Sequence, residues 1–470
     1  MTDAAPTVSA TAEKVDVTAR LMILTSLVFL PVGMLAGATV SMKLLAPAVG
    51  EVFFLSYGRL RVFHTNAILF GWLLQAGMGL IYYMVPRLCN NRLFSEKMGI
   101  ATWALLNVAV LAGGTGLLLG HNKGIEYAEL GFPFDLIVTI AWVLLAVNIV
   151  LTIAKRRVKY MYVALWYVLG ALVWTAVVYT CGNFVTRFVT GVNQANIAFF
   201  YMHNVVGLIF TPIGLATAYY FIPKSVDSPL YSHTLSIFGF WIIAFVYVWT
   251  GAHHMLFGPA SHWLQTVSIL FSFSLVVPVA IVVTNFYGTC APVMRKALAS
   301  VEAKFLLGGV TFYLLTCLQG PAHASRSLNQ IVSKTDWIVG HAHMAVSGAF
   351  TFIAIAGIYH ALPRMFRRPL FSRRLGELHF WVTLLAIIPF FLSLMAGGFL
   401  QGLSWMDPSI PWVETIDVIR PYWGIRLLSG TVLLLAQFIF LVNVAMTVWP
   451  AHQAAPEAPR AGLPASGVEA

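Results

Sequence analysis

The sequence predicts an all-α membrane protein: one domain of twelve transmembrane helices over residues 21–450, between two short polar tails. Three observations predict it. Only 10% of the 470 residues are charged and 59% are hydrophobic, whereas soluble globular chains carry about 25% charged residues. Apolar runs of the length that spans a bilayer, about 20 residues, recur twelve times. Basic residues gather between those runs and are biased towards one side.

In chain order the runs cover approximately residues 21–43, 59–85, 98–119, 133–154, 160–182, 195–222, 234–257, 265–287, 303–325, 336–362, 379–402 and 424–449. Several contain Gly or Pro, which membrane helices tolerate when neighbours satisfy the freed backbone groups. Residues 1–20 lack the apolar core of a cleavable signal. With residues 451–470, rich in Ala and Pro, they read as disordered cytoplasmic tails. Connections after even-numbered runs hold sixteen Lys and Arg residues, those after odd-numbered runs nine. The positive-inside rule therefore places both termini in the cytoplasm. The net charge of +11 is mostly this loop bias and calls for no nucleic acid. The four cysteines, Cys89, Cys181, Cys290 and Cys317, form no CxxC or CxxCH. They read as small apolar fillers, and the chain carries no covalently attached haem of its own.

Histidine placement carries the chemistry. Given that orientation and 1.5 Å per helical residue, His64, His203, His253, His254, His341 and His343 all fall roughly 6–12 Å inside the outer face. They come from runs two, six, seven and ten. One intramembrane histidine is often a satisfied structural residue; six at one depth, including HH and HxH, point to metal ligation. His341 and His343, two apart, project about 200° from each other on a helix. They can serve two centres on opposite sides of run ten. His253 and His254 differ by about 100°, and Gly251 with Gly258-Pro259 can loosen that end so both reach one metal.

RLRVFHTNA in run two, YMHNVVG in run six, YVWTGAHH in run seven and DWIVGHAH in run ten together resemble subunit I of the haem–copper oxidase superfamily. The closest resemblance is to its C family, the cbb3-type cytochrome c oxidases, and it extends over residues 20–450. It implies the catalytic subunit of a respiratory terminal oxidase in the bacterial inner membrane. Such a subunit reduces dioxygen to water with proton uptake, and proton pumping is a further family implication. His64 and His343 would be axial ligands of a six-coordinate low-spin haem b, and His341 the proximal ligand of a high-spin haem b. His203, His253 and His254 would hold one copper ion. Tyr247 matches the family's active-site tyrosine, cross-linked to the run-six histidine, here His203. Glu126 and Glu129, in GIEYAELG, match glutamates near the haem propionates where calcium is commonly held; alone they read as ordinary loop carboxylates. Arg59 and Arg61 either pair with propionates or snorkel. Electrons would come from membrane-anchored c-type cytochrome subunits, fed by cytochrome c.

Below the histidine level, Tyr219, Ser236, Asn285, Tyr313 and Thr316 supply hydroxyls and an amide on runs six to nine. Single hydroxyls usually bond the preceding turn; together these match the family's one proton-input channel, ending at Tyr247. Gln319, in TCLQGP, stands where the family usually has glutamate, a residue able to bond His341 and tune its donor strength. His323 is an additional histidine that the resemblance leaves unassigned; it is either structural or turned to the outer surface. The departure at Gln319 keeps open nitric oxide reductases, which share the six histidines but carry non-haem iron. They typically place glutamate four residues after the run-six histidine, here Gly207, and lack the tyrosine. A haem-free transporter would show repeated halves with broken helices, and no such halves are visible.

Overall fold

The computed structural model describes residues 16–50 and 52–449, and among them it contains helices, turns and loops but no strand. Twelve long apolar helices appear: α1 (Val17–Leu45), α2 (Tyr57–Leu88), α3 (Glu96–Leu119), α4 (Phe132–Ala154), α5 (Val163–Arg187), α6 (Gly191–Val226), α7 (His233–Met255), α8 (His262–Ala299), α9 (Val301–Ala324), α10 (Asp336–Phe366), α11 (Arg373–Met406) and α12 (Trp412–Val448). Each contains or closely overlaps one of the twelve apolar runs.

Several boundaries differ from expectation, among them the end of α8, which runs on to Ala299 past residue 287; two starts have a visible cause. Helix α1 begins at Val17 instead of residue 21, because Asp16 is clamped by both guanidinium nitrogens of Arg87 at 2.8 and 2.7 Å and Thr18 bonds Glu96. The remainder of the expected disordered tails, 1–15 and 451–470, lies outside the described residues. Helix α12 begins at Trp412 instead of residue 424. Its first turns expose Glu414, Asp417 and Arg420 while burying Thr415 and Ile419, so hydropathy alone does not register them.

Burial separates the helices into two groups. The apolar stretches of α2, α6 and α10 are 100%, 94% and 83% buried, whereas those of the other nine are 39–61% buried. The three central helices carry His64, His203, His341 and His343. In each, a π-helical segment follows the last of these histidines: Ala67–Leu74, Val205–Phe210 and Met344–Phe350. Such wide turns are rare and concentrate at functional sites.

These helices also head three equivalent connections. YYMVPR (82–87), YYFIPK (219–224) and YHALPR (359–364) close them, followed by LFS (93–95), LYS (230–232) and LFS (370–372). Each serine N–H donates to an asparagine Oδ1, and the same asparagine's amide donates back to the serine carbonyl. The pairs are Ser95 with Asn148, Ser232 with Asn285 and Ser372 with Asn443, all at 2.8–3.0 Å. Each serine hydroxyl then caps the next helix. The chain is thus three four-helix units, α1–α4, α5–α8 and α9–α12. Its repeat is threefold, unlike the paired halves of a transporter.

Candidate metal centre

The two pairs of histidine signals resolve onto opposite sides of α10. His343 faces His64 of α2, with ring centres 6.1 Å apart and planes 16° from parallel. His64 Nδ1 donates to the Gly33 carbonyl at 2.7 Å and His343 Nδ1 to the Val339 carbonyl at 2.8 Å. Both rings therefore present Nε2 as the free donor atom. Two metal–nitrogen bonds of about 2 Å, with each nitrogen on its ring's rim, set ring centres about 6 Å apart. The observed spacing fits one metal between parallel imidazoles. Gly37 of α1 makes room, since a Cβ there would stand 2.6 Å from His64 Cε1.

On the other side, ligand nitrogens of His203, His253 and His254 lie within 4.8 Å of one another, the one such cluster of three or more His, Cys, Asp or Glu among the described residues. Helix α7 tightens to 3-10 turns over Tyr247–Trp249 and Gly251–Met255. That brings the rings of His253 and His254 to 4.5 Å, and His203 Nδ1 lies 3.2 Å from His254 Nε2. Ser272 Oγ spends its proton on the Ser268 carbonyl at 2.7 Å. The 2.7 Å contact between His253 Nδ1 and Ser272 Oγ is therefore a donation from the ring, which leaves Nε2 as the ligand atom. Ser268 in turn accepts from His253 N–H at 2.7 Å. Neither serine was singled out from sequence, although their i,i+4 spacing on α8 was visible there.

His341 is an electrostatic neighbour of all three. Its Nδ1 donates to Gln319 Oε1 at 2.9 Å, and the Gln319 amide is held against Met395 Sδ at 3.2 Å. His323 does not turn to the outer surface. It is buried edge-on to His341, ring centres 4.4 Å apart, and accepts from Trp337 Nε1 at 3.4 Å.

Tyr247 is buried with its ring 5.6 Å from His203, whose Nε2 has no hydrogen-bond partner. The phenol fills the notch at Gly207, where a Cβ would fall 2.0 Å from Tyr247 Cε1. Below it, Tyr313, Tyr167 and Tyr219 are buried phenols whose hydroxyls lack partners. Tyr167 stacks on Tyr219 at 5.5 Å, neighbours Tyr313, and was missed from sequence. Asn285 faces Tyr219 while holding the Ser232 connection. Ser236 and Thr316 bond their own helices, to the His233 carbonyl at 2.5 Å and the Phe312 carbonyl at 2.7 Å.

A single cavity of about 700 Å³ runs past both histidine groups, lined among others by His64, His343, His253, His254 and Trp72. Its rim carries Arg61, bonded to both Glu126 oxygens at 2.9 Å. Glu129 is buried and accepts from Asn66 at 3.0 Å. Arg59 stacks over Phe53 at 3.5 Å. Buried Arg426 also lines the cavity, 4.0 Å from Asp336; as an arginine inside a membrane run it could have been noticed from sequence.

Parallel imidazoles on one side of a central helix, a histidine triad on the other and twelve spans define a haem–copper oxidase subunit I fold. In agreement, the chain superimposes on a haem–copper terminal oxidase from a cryo-EM dimer with a TM-score of 0.76. That match covers 97% of this chain and 86% of the other at 14% identity. The chain belongs to the family of cytochrome c and quinol oxidase polypeptide I, matched over residues 17–432. It is 31% identical to the cbb3-type cytochrome c oxidase subunit CcoN1 of Stutzerimonas stutzeri, covering 90% of this chain and 93% of that one. It is 32% identical to the bacteroid cytochrome c oxidase subunit 1 homologue of Bradyrhizobium diazoefficiens, covering 88% and 79%. Membership makes the chain a catalytic oxidase subunit of cbb3 type and implies haem and copper, which the paired and triple imidazoles fit.

The Ser272 bond yields a prediction. Ser272→Ala frees the His253 ring and is expected to weaken metal retention by about 10–100-fold, read as metal content after dialysis against a graded chelator. Ser274→Ala, at an exposed hydroxyl bonded only to its own helix, is expected to change nothing. Equal retention by both variants would show that Ser272 does not orient the ligand.

Proposed function

We propose that this subunit reduces dioxygen to water with electrons from c-type cytochrome partners, taking protons from the cytoplasmic side of a bacterial inner membrane. In this reading His64 and His343 hold a low-spin haem b, His341 holds a high-spin haem b, and His203, His253 and His254 hold copper. Bound there, the haem and copper supply the redox chemistry, and the chain supplies ligands, spacing and protons. The bias of the basic loops supports a cytoplasmic position for both termini, and proton pumping belongs to the same proposal.

The observation that carries the reading is the contact of Tyr247 with Gly207 beside His203. The phenol stands next to the triad, able to give a proton and an electron during oxygen-bond cleavage. The His203 Nε2 without a partner is the atom a cross-link to that ring would use. A glutamate at position 207, the nitric oxide reductase arrangement, would collide with Tyr247. The column Tyr219, Tyr167, Tyr313, Tyr247 supports proton delivery from the face bearing the basic loops, with Asn285, Ser236 and Thr316 shaping its walls. Gln319 holds His341 Nδ1 as a glutamate would, but brings no charge, so His341 becomes a weaker electron donor. This departure from the family's glutamate is the one feature behind the second reading, nitric oxide reduction.

Calcium at Glu126 and Glu129 is part of the proposal. Oxygen ligands suit it, although the ion would have to displace Arg61 from Glu126. Burial pushes the Glu129 carboxyl up to about 7. Since calcium needs the carboxylate, its affinity is predicted to fall as pH drops through that value. Calorimetric titration of the intact complex checks this, and a pH-independent affinity or no binding contradicts it.

Gas uptake by the purified, fully reduced complex tests the function. Fast dioxygen uptake with slow nitric oxide turnover is expected, and Tyr247→Phe is predicted to cut dioxygen uptake at least 100-fold, within the roughly 10²–10⁴ span of a positioned proton donor. Fast nitric oxide turnover with negligible dioxygen uptake would overturn the reading.

A further inference from the structure

The charges that line the cavity do not balance, and the surplus lies on one side. Among the described residues its walls carry three cations, Arg61, Lys334 and Arg426, and two acids, Glu126 and Asp336. Both acids are taken. Glu126 accepts from Arg61 through both oxygens at 2.9 Å. Asp336 accepts from Trp423 Nε1 at 2.7 Å and faces Arg426 at 4.0 Å. No carboxylate among the described residues lies within ion-pair distance of Lys334. The two matched cations attend the paired imidazoles: Arg426 and Arg61 are electrostatic neighbours of His64, and Arg426 is one of His343. The unmatched one attends the triad, as a neighbour of His254.

The backbone holds Lys334 at that spot against its own preference. It stands in the turn before α10 with φ at 67°, a left-handed conformation that glycine adopts freely and lysine does not. Bonds on either side fix the turn. Ser333 N–H donates to the Asn329 carbonyl at 2.9 Å, and Thr335 N–H donates to the Val332 carbonyl at 3.3 Å. Strain kept in place by its surroundings points to a side chain with a task. The ammonium lies 4.7 Å from the centre of the Phe199 ring, and that ring stacks on His254 at 5.8 Å, 10° from parallel. The aromatic face attracts the cation, and its apolar body screens the field far less than water would. On the same side Gln319 offers His341 a neutral acceptor, so nothing there offsets the charge.

We propose that Lys334 directs electron flow across α10: its unmatched charge raises the midpoint potential of the triad-side centre relative to the pair-side one. The inference rests on the reading that redox groups occupy both sides of the helix. One electron leaves the pair-side centre, which is oxidised, and reduces the triad-side centre; no bond forms or breaks. The sign follows from Coulomb's law. A centre that gains an electron becomes less positive, so a nearby cation favours its reduced state. On the pair side each cation has its acid, and the two charges of each pair largely cancel. Lys334 touches no reacting atom and acts through the field at His254, which makes it a positioning residue.

The test is a spectroelectrochemical titration of the intact complex that follows the low-spin and high-spin haem signals separately. In Lys334→Met the ratio of reduced to oxidised triad-side centre at a fixed potential is expected to fall about tenfold, which is about 59 mV for one electron. The low-spin signal is expected to stay in place. Lys334→Arg keeps the charge and is expected to titrate like the parent. Lys334→Gly suits the left-handed turn and loses the charge without strain. It is expected to match Lys334→Met, and it carries the test if the methionine variant does not assemble. An unmoved high-spin potential in the uncharged variants overturns the proposal. So does an equal shift of both signals, or a failure of arginine to keep the parent value. A parent without separate low-spin and high-spin signals overturns the reading of the two sites and the inference with it, whereas an unmoved potential in a parent that shows both overturns the inference alone.

Discussion

Four hydrogen bonds donated by the Nδ1 atoms of histidines within the membrane spans decide where this site's reactive nitrogens point. His64 is tied to the Gly33 carbonyl, His343 to the Val339 carbonyl, His341 to Gln319 and His253 to Ser272. Each bond fixes a tautomer as well as a rotamer, and each leaves Nε2 as the ligand atom. Without them, six imidazoles at one depth would be a polar liability in lipid. With them, two donor sets face opposite sides of one helix, which is why α10 lies at the centre of the bundle.

The backbone makes room for these rings. Gly37 lets α1 pass against His64, and Gly207 admits the Tyr247 ring against α6. The π-helical segments below the histidines sit at comparable places in α2, α6 and α10. One motif, an asparagine holding a serine connection, anchors each four-helix unit at the opposite end. The units share their anchoring and differ in what they bury: His64, the triad's His203, or the His341–His343 pair.

Much of this was legible in the sequence. Hydropathy located all twelve helices because a span must be apolar for about 20 residues. The six histidines were visible because charged and titratable groups are rare at that depth. In the structure the Tyr247 ring lies 5.6 Å from His203, and Gln319 accepts from His341 Nδ1. The repeat was missed because its signature, a tyrosine, a Pro-Arg or Pro-Lys step and a later Leu-aromatic-Ser, spans a helix end and a loop with no hydropathy periodicity. Ser268, Ser272, Tyr167 and Arg426 were missed for another reason. Each acquires its role from a partner on a different helix, and sequence spacing does not reveal which helices meet. The boundaries at Val17 and Trp412 depended on contacts outside the apolar depth, where hydropathy is silent.

The central claim is that His343 and His341 serve separate centres across one helix. The most direct measurement compares the absorption and paramagnetic-resonance spectra of intact complexes carrying His343→Ala or His341→Ala. The account predicts that His343→Ala removes the six-coordinate low-spin signal and leaves the high-spin one, and that His341→Ala does the reverse. Loss of both signals in each variant, or of the same signal in both, would contradict it.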